Sequence, residues 1–99
     1  MLLVVGTIRL PPDRLAEARG VMRRMIEASR AEPDCLDYSY AEDLVEAGLI
    51  RVVETWRSRA GLEQHFASPH LAEWRATWPQ LGITDRQLVR YEITDPVAT

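Results

Sequence analysis

Apolar residues recur along this chain with two different periods, and the switches between them lay out its elements. Residues 2–10, LLVVGTIRL, are a near-continuous apolar run rich in β-branched residues. A strand exposed on one side alternates apolar with polar, so this pattern predicts a strand buried on both faces. Leu3, Val5 and Thr7 fall on one face, and Leu2, Val4, Gly6 and Ile8 on the other. Gly6 marks a bulge or a close approach by another group. Pro11-Pro12-Asp13 ends the strand, and Asp13 is a fair N-cap for a helix. From there Leu15, Ala18, Met22, Met25, Ile26 and Ser29 keep helical spacing, with arginine and glutamate largely off that stripe. The helix runs to about Ala31 and stops at Pro33, because the residue before a proline avoids the helical region.

The period then returns to two. In residues 35–43, CLDYSYAED, Leu36, Tyr38 and Tyr40 share one face, and Asp37, Ser39 and Ala41 the other. LVEAG, ending on Gly48, reads as a hairpin loop. Residues 49–57 are its partner strand, with Val52, Glu54 and Trp56 on one face and Arg51, Val53 and Thr55 on the other. Ser58 caps a short helix over 59–66, where Leu62 and Phe66 pair at i, i+4. Ser68-Pro69 is a second helix start. Leu71, Trp74, Arg75 and Trp78 then share a stripe, and Pro79 and Gly82 close the helix. Residues 86–94 form a last strand with Val89, Tyr91 and Ile93 on one face, and the tail DPVAT frays.

The order β-α-β-β-α-α-β predicts an α+β fold. It fits a ferredoxin-like split βαβ with a four-stranded antiparallel sheet, as one domain over 1–99 with its core at about 2–94. The helices are too few to cover both sheet faces, yet the first strand is apolar on both. A second copy packed sheet to sheet resolves this, which predicts a homodimer.

Composition narrows the picture only a little. Hydrophobic residues at 46% and charged ones at 27% describe an ordinary globular chain. A net charge of −3 and the absence of lysine give no general attraction to nucleic acid or to a membrane surface. The single Cys35 excludes an intrachain disulfide and a cysteine-based zinc site. No apolar run approaches the ~20 residues that span a bilayer. The N-terminal run lacks the basic segment of a signal peptide, so a cytoplasmic location is expected.

No phosphate loop, GxGxxG, HExxH, cysteine pair or GxSxG occurs. What stands out is the stretch from Leu49 to Trp78. It holds both histidines, all three tryptophans and the only phenylalanine. Such a concentration where a sheet meets two helices makes a small-molecule pocket or an ordinary core. His65, beside Phe66 at a helix end, either moves a proton near neutral pH or packs its ring and bonds a backbone carbonyl. His70 reads as a surface or capping residue. The two histidines lie five residues apart across a helix break and lack the i, i+4 spacing of two ligands on one helix, so no metal site is expected. Glu54, on a central strand, needs a partner that an arginine or histidine can supply.

The chain resembles the antibiotic biosynthesis monooxygenase family. The residues that carry the resemblance are the opening strand with Pro11-Pro12-Asp13-Arg14, the segment from Glu27 to Asp43, and the segment from Val52 to Trp74 with its E-x-W and H-F-x-S-x-H patterns. The resemblance implies a ferredoxin-like protomer, a dimeric α+β barrel with two sheets facing each other, and a pocket between each sheet and its helices. It implies cofactor-independent oxidation of a small electron-rich aromatic, a quinol or a polyketide-like ring, by molecular oxygen. His65 would then be the base or proton shuttle. Arg75 would stabilise the substrate anion, and Tyr40, Trp56, Phe66 and Trp74 would wall the pocket. A haem-degrading branch uses Asn, Trp and His where this chain has Thr7, His65 and Arg75, which argues against haem. An isomerase of the same fold and a non-catalytic metabolite-binding dimer stay open.

Overall fold

In the computed structural model, which describes all residues from Met1 to Thr99, strand β1 (Leu2–Arg9) sits inside a four-stranded sheet. The sheet order is β2–β3–β1–β4, with β2 at Cys35–Glu42, β3 at Leu49–Trp56 and β4 at Thr84–Glu92, and every neighbouring pair is antiparallel. Helices α1 (Leu15–Arg30), α2 (Arg59–Phe66), α3 (Pro69–Ala76) and α4 (Trp78–Leu81) complete the ferredoxin-like order. No helix is long and apolar enough to cross a membrane.

One face of the sheet carries the core. Leu2, Val4 and Ile8 of β1 are buried with Tyr38, Ile50 and Trp56 of the neighbouring strands. Against them pack Ala18, Met22 and Met25 of α1, Leu62 of α2, and Leu71 and Trp74 of α3. Ser29, on the same helical stripe, is buried too, and donates to the Met25 carbonyl at 2.8 Å. The helical period therefore reads the covered face correctly.

The other face is apolar and uncovered within the chain. Val5 pairs with Val53 on one side and Val89 on the other, and Leu3 with Thr55 and Tyr91. Val89 is 52% exposed and Tyr91 53%. A valine row and a mostly apolar row of Leu3, Thr55 and Tyr91 thus run across the sheet, ringed by Asp37, Ser39, Arg51 and Gln87.

Local departures from the sequence pattern have local causes. Asp13 does not cap α1. The prolines start a 3-10 turn at Pro12–Arg14, and neither that turn nor α1 has a side-chain cap. Alternation puts Leu36 beside Tyr38, but a register shift between Cys35 and Asp37 leaves Leu36 without a partner and 42% exposed. The last helix is broken at Thr77, two residues before Pro79, whose missing N–H cannot continue the ladder. Gly82 ends α4 in the left-handed region at φ 70°, and β4 starts at Thr84, two residues earlier than the pattern suggests.

Gly6 is required by a close approach. A Cβ placed on it would overlap the Gln87 carbonyl of β4. The β1–β4 register also shifts between Thr7 and Arg9, so the two backbones meet where pairing is already irregular. Gly6→Ala should cost about 3 kcal/mol, the upper end of overpacking penalties, because backbone rather than a rotatable side chain must give way. Urea unfolding of the two proteins measures this. A loss below about 0.5 kcal/mol would mean β4 moves aside freely.

Candidate functional site

The site forms where the end of α1 meets the junction of α2 and α3. Pro33 stops α1, and Glu32 lies in the turn that follows it. The Glu32 backbone N–H bonds the Ser29 carbonyl at 3.0 Å, and its carbonyl accepts from Cys35 at 3.1 Å. At the junction, Ser68 does two jobs. Its hydroxyl donates to the His65 carbonyl at 2.6 Å and accepts from the Leu71 N–H at 3.3 Å, closing α2 and capping α3. That turn aims His65, in the last turn of α2, and His70, in the first turn of α3, at the same point. His65 Nδ1 lies 2.7 Å from Glu32 Oε2, and His70 Nε2 lies 2.8 Å from the same oxygen.

A carboxylate can only accept, so both facing ring nitrogens carry protons. His65 Nδ1–H is thereby fixed, and Nε2 is its remaining nitrogen. The residue is 1% exposed, and its ring is packed by Trp56 at 4.7 Å and Tyr38 at 5.2 Å between centroids. Burial lowers the His65 pKa below the usual imidazole value, and the hydrogen bond to Glu32 partly offsets this. The neutral ring is the resting form at pH 7.

His65 is in the wall of a small, partly open cavity of about 10 Å³, room for one water. Tyr38, Tyr40 and Glu54 come to it from the sheet, Phe66 and Arg75 from the helices, and Arg86 and Leu88 from β4. Glu54 accepts from the Trp56 indole at 2.9 Å, and burial raises its pKa. Tyr38 and Tyr40 stack at 5.7 Å, and burial raises both of their pKa values. Arg75 lies over the Phe66 ring at 5.9 Å. Trp78, another wall residue, has a buried indole N–H with no acceptor in the protein. A larger concavity of about 450 Å³ is an open groove between α1 and strands β2 and β3. It contains neither histidine, and Tyr40 is the one residue that lines both spaces.

Of the residues singled out from sequence, the structure gathers His65, Tyr40, Phe66 and Arg75 around the inner cavity. Trp56 and Trp74 are fully buried one layer behind it, Trp56 against His65 and Trp74 against Tyr40 at 6.3 Å. Sequence reasoning missed Glu32, which reads there only as part of a helix stop. It also missed Arg86, Trp78 as a wall residue, and the convergence of His70 on His65. Cys35 is not a reactive centre, since burial pushes its thiol up to about 11.

Comparison with known proteins sets this geometry in a family. The profile described as antibiotic biosynthesis monooxygenase matches residues 1–77. An uncharacterised Synechocystis protein is 34% identical over 95% of this chain, and the chain spans only 64% of that relative's length. A Mycobacterium tuberculosis protein, provisionally named a monooxygenase, is 35% identical over 74% of this chain and 71% of its own. A crystal structure from Deinococcus radiodurans, provisionally named an antibiotic biosynthesis monooxygenase, superposes with a TM-score of 0.92 at 25% identity. It covers 100% of this chain and 98% of that one.

Glu54 yields a pH-dependent test. Its folded pKa is raised, so its contribution to stability is complete below the unfolded value of about 4.3 and is lost as pH rises through the folded midpoint. Glu54→Gln keeps an acceptor for Trp56 and removes the buried ionisable group. The variant should match the wild type at pH 4 and be more stable at pH 7.5, by more than the about 0.5 kcal/mol typical of surface changes. Equal differences at the two pH values, read from urea midpoints, would contradict burial as the cause.

Proposed function

The chain belongs to the antibiotic biosynthesis monooxygenase family, and on that premise we propose that it oxidises a small electron-rich aromatic with molecular oxygen and no cofactor. The observation that carries this reading is the buried imidazole of His65 at a cavity wall, with one ring nitrogen held by Glu32. Its free Nε2 is the base. Arg75, Arg86 and the unpartnered Trp78 indole are donors suited to the anion that deprotonation leaves.

For an anthrone-type methylene the steps balance. His65 takes one proton, and the substrate anion gives one electron to oxygen. The radical and superoxide join as a peroxide. Loss of water, using the proton held on His65 and the remaining methylene hydrogen, leaves a carbonyl. One oxygen atom ends in product and the other in water. No external reductant is needed. Water has to be kept from the reacting centre, which the bound ring itself would do by filling the space beside His65. The ring needs more room than the cavity has. Turning the Tyr40 side chain would join it to the 450 Å³ groove, which is in the range of small-molecule sites. Phe66 then flanks the ring, while Trp56 and Trp74 back the wall.

Oxygen uptake tests this directly. Quinols and anthrones are mixed with the protein without air, and oxygen is then admitted. Uptake well above the spontaneous rate, insensitive to chelator and added flavin, is expected. His65→Ala should lose about 10²–10⁴-fold, the usual worth of a positioned base. Uptake equal to the protein-free control across the panel would overturn the oxygenase reading and favour an isomerase or a binding protein.

We also propose that the open sheet face packs on a second copy of the chain. Val5, Val53, Val89, Leu3 and Tyr91 make the contact, with the polar ring at its rim. In sedimentation the wild type should run as a dimer at micromolar concentration, and Val53→Arg as a folded monomer. A monomeric wild type would refute the packing.

A further inference from the structure

We infer that Glu32, His65 and His70 form a binding site for one divalent transition-metal ion of zinc-like ligand preference. Their three donor atoms lie within 4.8 Å of one another and come from two helices and the turn after α1. Two imidazoles and one carboxylate are the donor set of open zinc sites, which leave further positions to water. The set is asymmetric in access. The His65 side chain is 2% exposed, whereas Glu32 is 15% and His70 21% exposed. An ion can therefore arrive from the His70 side and meet a fixed ligand at the back.

The rings are already aimed. Trp56 and Tyr38 pack His65, and the Ser68 bridge sets the angle between the helices that bear the histidines. Such outer contacts govern how well a site holds its ion. Nitrogen and oxygen donors stand about 2.0–2.1 Å from zinc, which puts tetrahedral ligands about 3.3 Å apart. The present separations from Glu32 Oε2 are 2.7 and 2.8 Å. The carboxylate must back away by about half an ångström, a small rotation for a side chain that sits in a turn and is 15% exposed. The ion takes the place of the two protons that now face Glu32. A ligating imidazole carries its one proton on its far nitrogen. In His65 that nitrogen is Nε2. Occupancy thus places a proton on the atom that the proposed oxygenation uses as its base, and a bound ion switches that chemistry off. Binding itself does not depend on the oxygenase reading; the inhibition does.

The test uses the full chain after chelator treatment. Cobalt(II) is titrated with visible ligand-field absorption as the readout, and zinc with calorimetry. One ion per chain is expected, with absorption intense enough for four or five ligands. Glu32→Gln and His70→Ala should each weaken binding at least about tenfold. Zinc should also raise the unfolding temperature of the unmodified protein, a readout that needs no variant to fold. No saturable binding, no rise in unfolding temperature, or variants that bind like the wild type would overturn the site. Oxygen uptake, measured separately, should be lost when zinc is added to the wild type. If the metal-free protein takes up no oxygen yet binds cobalt as described, the oxygenase reading fails and the metal site stands.

Discussion

A single carboxylate oxygen, Glu32 Oε2, holds together parts of the chain that sequence keeps far apart. It accepts from His65 and His70 at once, joining the end of α1 to the junction of α2 and α3. Buried polar groups demand partners, and an imidazole left unpaired in this interior would cost more than an ordinary hydrogen bond contributes. The requirement propagates outward. His65 can be buried only if α2 ends within reach of the α1 turn, and Ser68 fixes that end by bonding the His65 carbonyl. Trp56, which packs on His65, in turn needs an acceptor for its indole and finds it in Glu54. The polar residues under the helices form linked contacts, each member restricting the next.

A second constraint acts on the sheet. β1 is apolar on both faces, and the chain has enough helix to cover one. The candidate site and the core lie on the covered face, and the Val5 and Leu3 rows lie on the other. The proposed dimer contact and the proposed chemistry therefore occupy opposite sides of one sheet. Residues alternate between the sides along each strand, so neighbours such as Val53 and Glu54 serve different ends. Each side can change without disturbing the other, provided the backbone register holds.

Much of this was legible in the sequence. Period two and period 3.6 gave the strands, the helices and the residues under α1, because burial of one face is what those periods record. The resemblance to the monooxygenase family pointed to the same fold that the comparisons establish. The departures come from features without a periodic signature. A bulge takes Leu36 out of its alternation. The histidine pair misleads for a related reason. Five residues apart is the wrong spacing on one helix, but a capped break at Ser68 turns the second helix so that the rings converge. Spacing rules assume a continuous helix, and here the break is what makes the site. Glu32 reaches its position through a turn between α1 and β2, a contact across 33 residues that no local pattern encodes. Trp56 and Trp74 have the right chemistry for a wall, yet their bulk drew them fully into the core behind it.

The charges around His65 divide the work of the proposed proton transfer. A phenolic proton, with a pKa near 10, moves uphill to an imidazole near 6.5, and burial makes the imidazole weaker still. In the proposed reaction Arg75 and Arg86, which line the same cavity, would offset that deficit by stabilising the anion. Cations alone would defeat the purpose, since Arg75 also disfavours the imidazolium that the transfer creates. Glu32, on the opposite ring nitrogen, stabilises that imidazolium. Anion and cation are therefore separated across one imidazole, each facing its own counter-charge. Glu54 fits the same scheme. Burial raises its pKa, which disfavours a negative charge beside the proposed substrate anion. An ionised Glu54 there would cancel much of what the arginines contribute. In the proposed reaction burial would thus weaken the base and favour the field that lets a weak base suffice.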